Sequence, residues 1–153
     1  MKYSLLILLA ICACSKKEDA PKDTTPHVSG SWSGNGTDDA IGYYNVSMDL
    51  TQSGGTAAGT FTMAGGVATV QGNVTLAVGP QAPNNLQSLK LTRVSWTVAD
   101  PVNANRLCVG DLTVRRASTS MTSGAIVFHY TMTDCQGGVW DGGANLTKQM
   151  GTN

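Results

Sequence analysis

Residues 44–51 read Tyr44-Asn45-Val46-Ser47-Met48-Asp49-Leu50-Thr51, a strict alternation of apolar and polar side chains. Because successive side chains of a β-strand point to opposite faces, this pattern predicts a strand with one face buried and the other in water. The residues that follow, Ser53-Gly54-Gly55, are typical of a tight turn between antiparallel strands. The stretch therefore predicts a β-hairpin.

The same alternation recurs on both sides of this hairpin. Further strands are predicted over residues 29–36, 56–63, 86–98, 106–116, 122–133 and 139–148, and another carries Val70 to Val78. A turn is expected over residues 117–120. The apolar phase of the strand 86–98 changes from odd to even positions, so that Val94 is expected inward with Trp96. This change predicts a β-bulge near Thr92-Arg93.

About eight strands with short connections predict an all-β fold in which neighbours in sequence pair antiparallel. An up-and-down meander of this size closes naturally into a barrel, because closure removes the exposed edges. A two-sheet β-sandwich is the alternative.

Composition supports the all-β interpretation and limits the partners. Glu is absent beyond residue 26 and Lys is nearly absent there, and these are residues that usually cover surface helices. Only 13% of the residues are charged and the formal net charge is zero. The composition therefore offers no basic surface, so nucleic acid is not expected as a partner.

The N-terminus has the three parts of an export signal. Lys2 supplies a positive charge, residues 5–11 form an apolar run, and small Ala13 precedes Cys14. The run is too short to span a bilayer. The motif Ile-Cys-Ala-Cys at residues 11–14 resembles the lipobox of bacterial lipoproteins, which implies that Cys14 is lipidated after cleavage. The alternative is a plain secretory signal cut near Ala13.

Residues 1–13 are thus interpreted as a signal peptide, 14–26 as a disordered tether and 27–153 as one domain. The tether has no apolar residue larger than Ala or Pro, so it cannot bury surface. The residue after Cys14 is Ser15. An Asp at this position would resemble the signal that retains lipoproteins in the inner membrane of enteric bacteria. The expected location is the bacterial cell envelope, anchored by lipid to the outer membrane, and the charged cluster 16–19 fits either a solvated spacer or a surface-export signal.

Two cysteines remain in the expected domain, Cys108 and Cys135. An even pair in an exported chain predicts a disulfide, here between the strand that begins near Arg106 and the end of the strand near Thr133. Closing a loop of this length stabilises a fold by roughly 3–4 kcal/mol in the chain-entropy model. Two free thiols or a metal pair are the alternatives, although no Cys-x-x-Cys spacing supports a metal.

The first strand carries a second resemblance. Gly30-Ser31-Trp32, followed by a meander of alternating strands, resembles the start of calycin barrels of the lipocalin and avidin type. The resemblance implies that Trp32 packs across the closed end of the barrel. In that family the Trp packs against an Arg of the last strand, where this chain offers only Lys148.

The inward faces of the predicted strands mix large residues with very small ones. The large candidates for the barrel interior are Trp32, Phe61, Trp96, Phe128, Tyr130 and Trp140. Gly59, Gly72 and Ala144 are among the small ones. An eight-stranded barrel is either filled by its side chains or holds one small ligand, and the sequence leaves both open.

No residue pattern indicates catalysis. His129 lies on a polar-facing strand position, and Asp141-Gly142 is typical of a turn. Pairs of nucleophile and base, paired carboxylates and phosphate-binding loops are missing from the sequence. The protein is therefore expected to be non-enzymatic and to need no cofactor or metal. The expected function is a membrane-anchored binding module for a small apolar or amphiphilic ligand, or alternatively a protein-interaction or inhibitor-type lipoprotein of the envelope.

Overall fold

Eight strands make up the regular structure of the chain. The computed structural model describes residues 25–79, 86–98, 109–120, 124–134 and 137–150. The strands are β1 (Gly30–Asp38), β2 (Gly42–Ser53), β3 (Thr56–Gly65), β4 (Ala68–Val78), β5 (Leu86–Val98), β6 (Val109–Ser120), β7 (Ala125–Asp134) and β8 (Val139–Lys148). The described residues form no helix, hence none with the length and apolar character to cross a membrane.

All strands belong to one antiparallel sheet with the order β5-β4-β3-β2-β1-β8-β7-β6. The first strand pairs with the last, so the sheet curls back on itself. Its two edge strands, β5 and β6, lie side by side. The result is a nearly closed up-and-down barrel, which confirms the predicted fold class and excludes the sandwich.

The alternation in residues 44–51 corresponds to the two faces of β2. Tyr44, Val46, Met48 and Leu50 are at most 4% exposed, and the residues between them face solvent. The inward residues of the other strands join them in one hydrophobic core. Period-two patterning is therefore what places the core inside the barrel.

The phase change in β5 is a β-bulge, as predicted, but its extra residue is Val94. Gln71 pairs with Ser95 and Gly72 pairs with Arg93, which leaves Val94 without a partner on β4. Val94 is 66% exposed, so the expectation that it points inward is wrong. A bulge adds one residue to the strand, and the alternation resumes only after that residue.

Strand β6 is longer than predicted. Residues 117–120, expected to form a turn, continue the ladder with β7 as far as Ser120, which pairs with Ala125. The prediction was wrong because Ser and Thr suit both turns and the wet face of a strand. The pairing of β6 with β7 shifts register at two places, between Val109 and Leu112 and between Val114 and Arg116, and these shifts also change the phase of the alternation in this strand.

Trp32 is buried near the end of the barrel at which β1 begins. Its ring is 3% exposed, and its Nε1–H donates a hydrogen bond of 2.9 Å to the carbonyl of Val28. Lys148 Nζ lies 5.9 Å from the ring centroid and donates to the carbonyl of His27 at 3.2 Å. Lys148 of β8 therefore places a cation against the face of the Trp32 ring.

Gln52 binds the segment that precedes β1. The N–H of Val28 donates to Gln52 Oε1 at 2.7 Å, and Gln52 Nε2 donates to the carbonyl of Pro26 at 3.0 Å. The N–H of Gln52 donates in turn to Ser29 Oγ at 2.8 Å. Pro26, the last residue of the expected tether, is therefore buried against the domain at the Trp32 end.

Candidate functional site

Aromatic rings fill the barrel interior by covering inward glycines. In three places a ring lies on the neighbouring strand directly opposite a glycine, the ladder partners being Gly36 with Tyr44, Gly72 with Phe61, and Gly142 with Tyr130. A Cβ atom at Gly72 would lie 2.6 Å from Cε1 of Phe61, and one at Gly142 would lie 2.5 Å from Cζ of Tyr130. The rings therefore occupy the space that the glycines leave empty.

These rings are fully enclosed. Tyr44, Phe61, Phe128 and Tyr130 are at most 2% exposed, and the centroids of Phe128 and Tyr130 are 6.0 Å apart. Trp32 is also buried. The two other candidates for the interior, Trp96 and Trp140, are partly buried and pack against the core. Of the two possibilities that the sequence leaves open, this packing favours the filled barrel.

A buried carboxylate lies at the end of the barrel opposite Trp32. Asp38 is 5% exposed, and its Oδ1 accepts hydrogen bonds from the N–H groups of Ala40 (2.7 Å) and Ile41 (3.2 Å). The Tyr130 hydroxyl and Asp38 Oδ2 would lie 2.6 Å and 2.8 Å from a Cβ atom at Gly142, and neither has a hydrogen-bond partner among the described residues. They are two buried polar atoms that the hydrogen bonds of the fold leave unsatisfied.

Two tyrosines share this buried end. The Tyr44 hydroxyl donates to the carbonyl of Gly143 at 3.1 Å. Burial raises the pKa of Tyr44 to about 12. Burial also raises the pKa of Tyr130 far above its ordinary value, and the neighbouring Tyr44 and Asp38 raise it further. Both hydroxyls are therefore neutral hydrogen-bonding groups at physiological pH, fixed inside the fold.

A groove with a volume of about 680 Å³ crosses the outer face of the barrel over β2, β1, β8 and β7. Its lining includes Asn35, Thr37, Tyr43, His129, Gly143 and Asn145. The register sets these residues in rows. Tyr43 pairs with Thr37, Thr37 with Gly143, and Gly143 with His129. Gly143 has no side chain, and a Cβ atom there would lie 2.8 Å from His129 Nδ1, so the imidazole covers this glycine.

A second row beside the first consists of amides. Asn45 pairs with Asn35, and Asn35 pairs with Asn145, so three outward side chains of the same type stand on adjacent strands. All three are exposed. Tyr43, at 63% exposure, is one of the few large hydrophobic residues on the surface of the described residues. The groove thus combines an exposed aromatic ring with the amides of Asn35 and Asn145, while Asn45 lies beside it, outside its lining.

The charges at the groove do not form an ion-binding site. Asp141 Oδ1 lies 3.8 Å from Arg115 Nη1, and both side chains are well exposed, so the pair contributes little to stability. Asp38 is buried, and its Oδ1 accepts hydrogen bonds from the backbone of its own turn. No cluster of His, Cys, Asp and Glu that could hold a metal ion occurs within residues 25–79, 86–98, 109–120, 124–134 and 137–150.

The structure places the predicted residues in three groups. The aromatic candidates lie in or against the core, as described above. His129 lies on the outer face, at the edge of the groove. Cys14, Cys108 and Cys135 lie outside the described residues, as does the proposed signal peptide.

Sequence reasoning missed Tyr43 and the amide row. Tyr43 directly precedes inward Tyr44, so its ring occupies the polar phase of β2. An aromatic residue on the wet face of a strand is a signal that the sequence does contain. The asparagines could not be grouped from sequence, because they belong to three strands whose adjacency depends on closure between β1 and β8.

The strand order and the contact between Trp32 and Lys148 are compatible with a calycin-like fold. No family model matches the sequence, and no curated protein matches it.

Proposed function

We propose that this protein is a lipid-anchored, non-catalytic binding module of the bacterial envelope, and that it engages its target through the outer face of the barrel. The anchor rests on the lipobox-like motif at residues 11–14. The absence of a recognisable nucleophile and base in the sequence supports a binding role. Of the two functions expected from sequence, this proposal is nearer to the second, a protein-interaction or inhibitor-type lipoprotein, because it places binding on the outside of the barrel.

One observation carries the choice of the outer face: rings of Tyr44, Phe61 and Tyr130 cover the glycines opposite them. Eight-stranded barrels have room either for their own side chains or for one small ligand. A ligand inside this barrel would have to displace rings that are at most 2% exposed. A small apolar ligand in the interior is therefore the less supported function.

The direction of the tether supports the same proposal. Pro26 and Val28 are bound at the Trp32 end of the barrel. The groove includes Asp38 and Asp39, at the opposite end of β1. Six residue steps along β1 lead from Trp32 to Asp38, a distance of roughly 20 Å. A lipid on Cys14 would thus be attached to the domain at the Trp32 end, away from the part of the groove that Asp38 lines.

Native mass spectrometry of the protein purified from membranes tests this proposal. We expect the spectrum to show the mass of the lipidated chain alone, or that mass increased by a small molecule. In the second case the small molecule should be lost in the variant Tyr43→Ala. A stoichiometric small molecule that Tyr43→Ala retains unchanged would place the ligand away from the groove and overturn the proposal. Val94→Ala, which alters an exposed side chain on β5, is the matched control.

A further inference from the structure

We propose that the outer groove is a binding site for a neutral oligosaccharide. This inference rests on the proposed function, since it names the class of target that the outer face would bind. Three independent features of the groove carry it: its dimensions, the kinds of hydrogen-bonding groups that line it, and its charge.

The first feature is the span from Tyr43 to His129. The two side chains stand on β2 and β7, three strand spacings apart, which corresponds to roughly 14 Å. Between them the His129 ring lies over Gly143, since a Cβ atom at this glycine would be 2.8 Å from His129 Nδ1, and the imidazole forms this part of the floor. A shallow trough of this length suits a chain of small rings better than a single small molecule.

The second feature is the chemistry of the walls. Tyr43 offers the face of an aromatic ring to solvent, and such a ring packs against the apolar face of a sugar. Each Asn side chain both donates and accepts hydrogen bonds, as does a sugar hydroxyl. Asn35 and Asn145 repeat this group on adjacent strands of the lining, beside the hydroxyl of Thr37, and Asn45 continues the row on β2 outside the groove. A row of identical amides matches a ligand that repeats its hydroxyls along its length.

The third feature is charge. The acidic residues that line the groove are Asp38, Asp39 and Asp141, and the lining includes no Lys or Arg. Phosphate and other anions would therefore be repelled. Asp38 is buried in its turn, and Asp141 is paired with Arg115, so a cation would find few free carboxylates. Neutral ligands remain.

Isothermal titration of the full lipidated chain tests the inference, in a detergent whose headgroup is not a sugar. The probes are chitotetraose and maltotetraose. We expect at least one to bind, with the affinity about tenfold weaker in Tyr43→Ala, because the stacking ring is lost. Tyr43→Phe, which keeps the ring, should stay close to the native affinity. The double variant Asn35→Ala/Asn145→Ala should also weaken binding, whereas Val94→Ala should not.

Two results would overturn the inference. One is the absence of binding by both probes at 10 mM, on the order of the weakest affinities usually called specific. The other is binding that neither Tyr43→Ala nor the double asparagine variant weakens. These two results test only the oligosaccharide. The proposed function is tested separately, by whether a co-purified small molecule is retained when Tyr43 is changed to Ala. A protein that bound the groove in place of sugar would refute the oligosaccharide and leave the outer face as the binding surface.

Discussion

Stability above pH 10 depends on the two buried tyrosines. An unfolded tyrosine ionises near its ordinary pKa of about 10, whereas folding raises the pKa of Tyr44 to about 12 and that of Tyr130 still further. Between pH 10 and pH 12 the unfolded chain therefore releases protons that the folded chain keeps. By linkage, the free energy of unfolding falls as pH rises through this window, and below pH 10 the two groups contribute no slope.

The magnitude follows from the shift. One pKa unit corresponds to about 1.4 kcal/mol, so the two-unit shift of Tyr44 removes about 2.7 kcal/mol of stability by pH 12. Tyr130 adds a similar slope, because it too stays protonated in the folded state. The pair should give a combined slope of about 2.7 kcal/mol per pH unit where both are ionised only in the unfolded chain.

Urea unfolding followed by tryptophan fluorescence, repeated from pH 9 to pH 12, measures this slope. Tyr44→Phe should lower the slope by about half, and at pH 9 it should also lose about 1 kcal/mol because the 3.1 Å bond to the Gly143 carbonyl is removed. The control is Val94→Ala, which changes an exposed side chain that does not titrate and should leave the slope unchanged. Equal slopes for Tyr44→Phe and the native chain would refute the reasoning.

Two predictions concern the cysteines. Cys14→Ser should move the protein from membrane to soluble fractions, because stable anchoring requires its acyl chains; unchanged fractionation with unchanged processing would rule out the anchor. Cys108 and Cys135 should form a disulfide, since Val109 and Asp134 are ladder partners and each cysteine is the next residue beyond that pair. Mass spectrometry without reductant should find the bridge, and two alkylatable thiols in the exported protein would refute it.

Most of the architecture could be predicted because alternation and turn residues are local signals. The alternation over residues 44–51 predicts most of β2, which spans Gly42–Ser53. The turn that follows is predicted by Gly54-Gly55. The errors fall where local signals conflict. Val94 carries an apolar side chain into a bulge, and residues 117–120 have the composition of a turn within a strand.

The interior and the groove could not be predicted, because both depend on pairing between distant residues. Gly142 and Tyr130 are twelve residues apart, and nothing in their own segments indicates that one covers the other. The filling of the barrel follows only once the register is known. Similarly, Asn35 and Asn145 become neighbours only through the contact of the first strand with the last.

The filled interior is the central claim, and thermal unfolding in the presence of small apolar ligands tests it most directly. Benzene and laurate should leave the midpoint of the native chain unchanged, because the space above Gly72 holds the ring of Phe61. Phe61→Ala should cost about 3–5 kcal/mol and open a cavity that benzene fills, so that benzene raises the midpoint of this variant. A saturable rise in the midpoint of the native chain with either ligand would contradict the account.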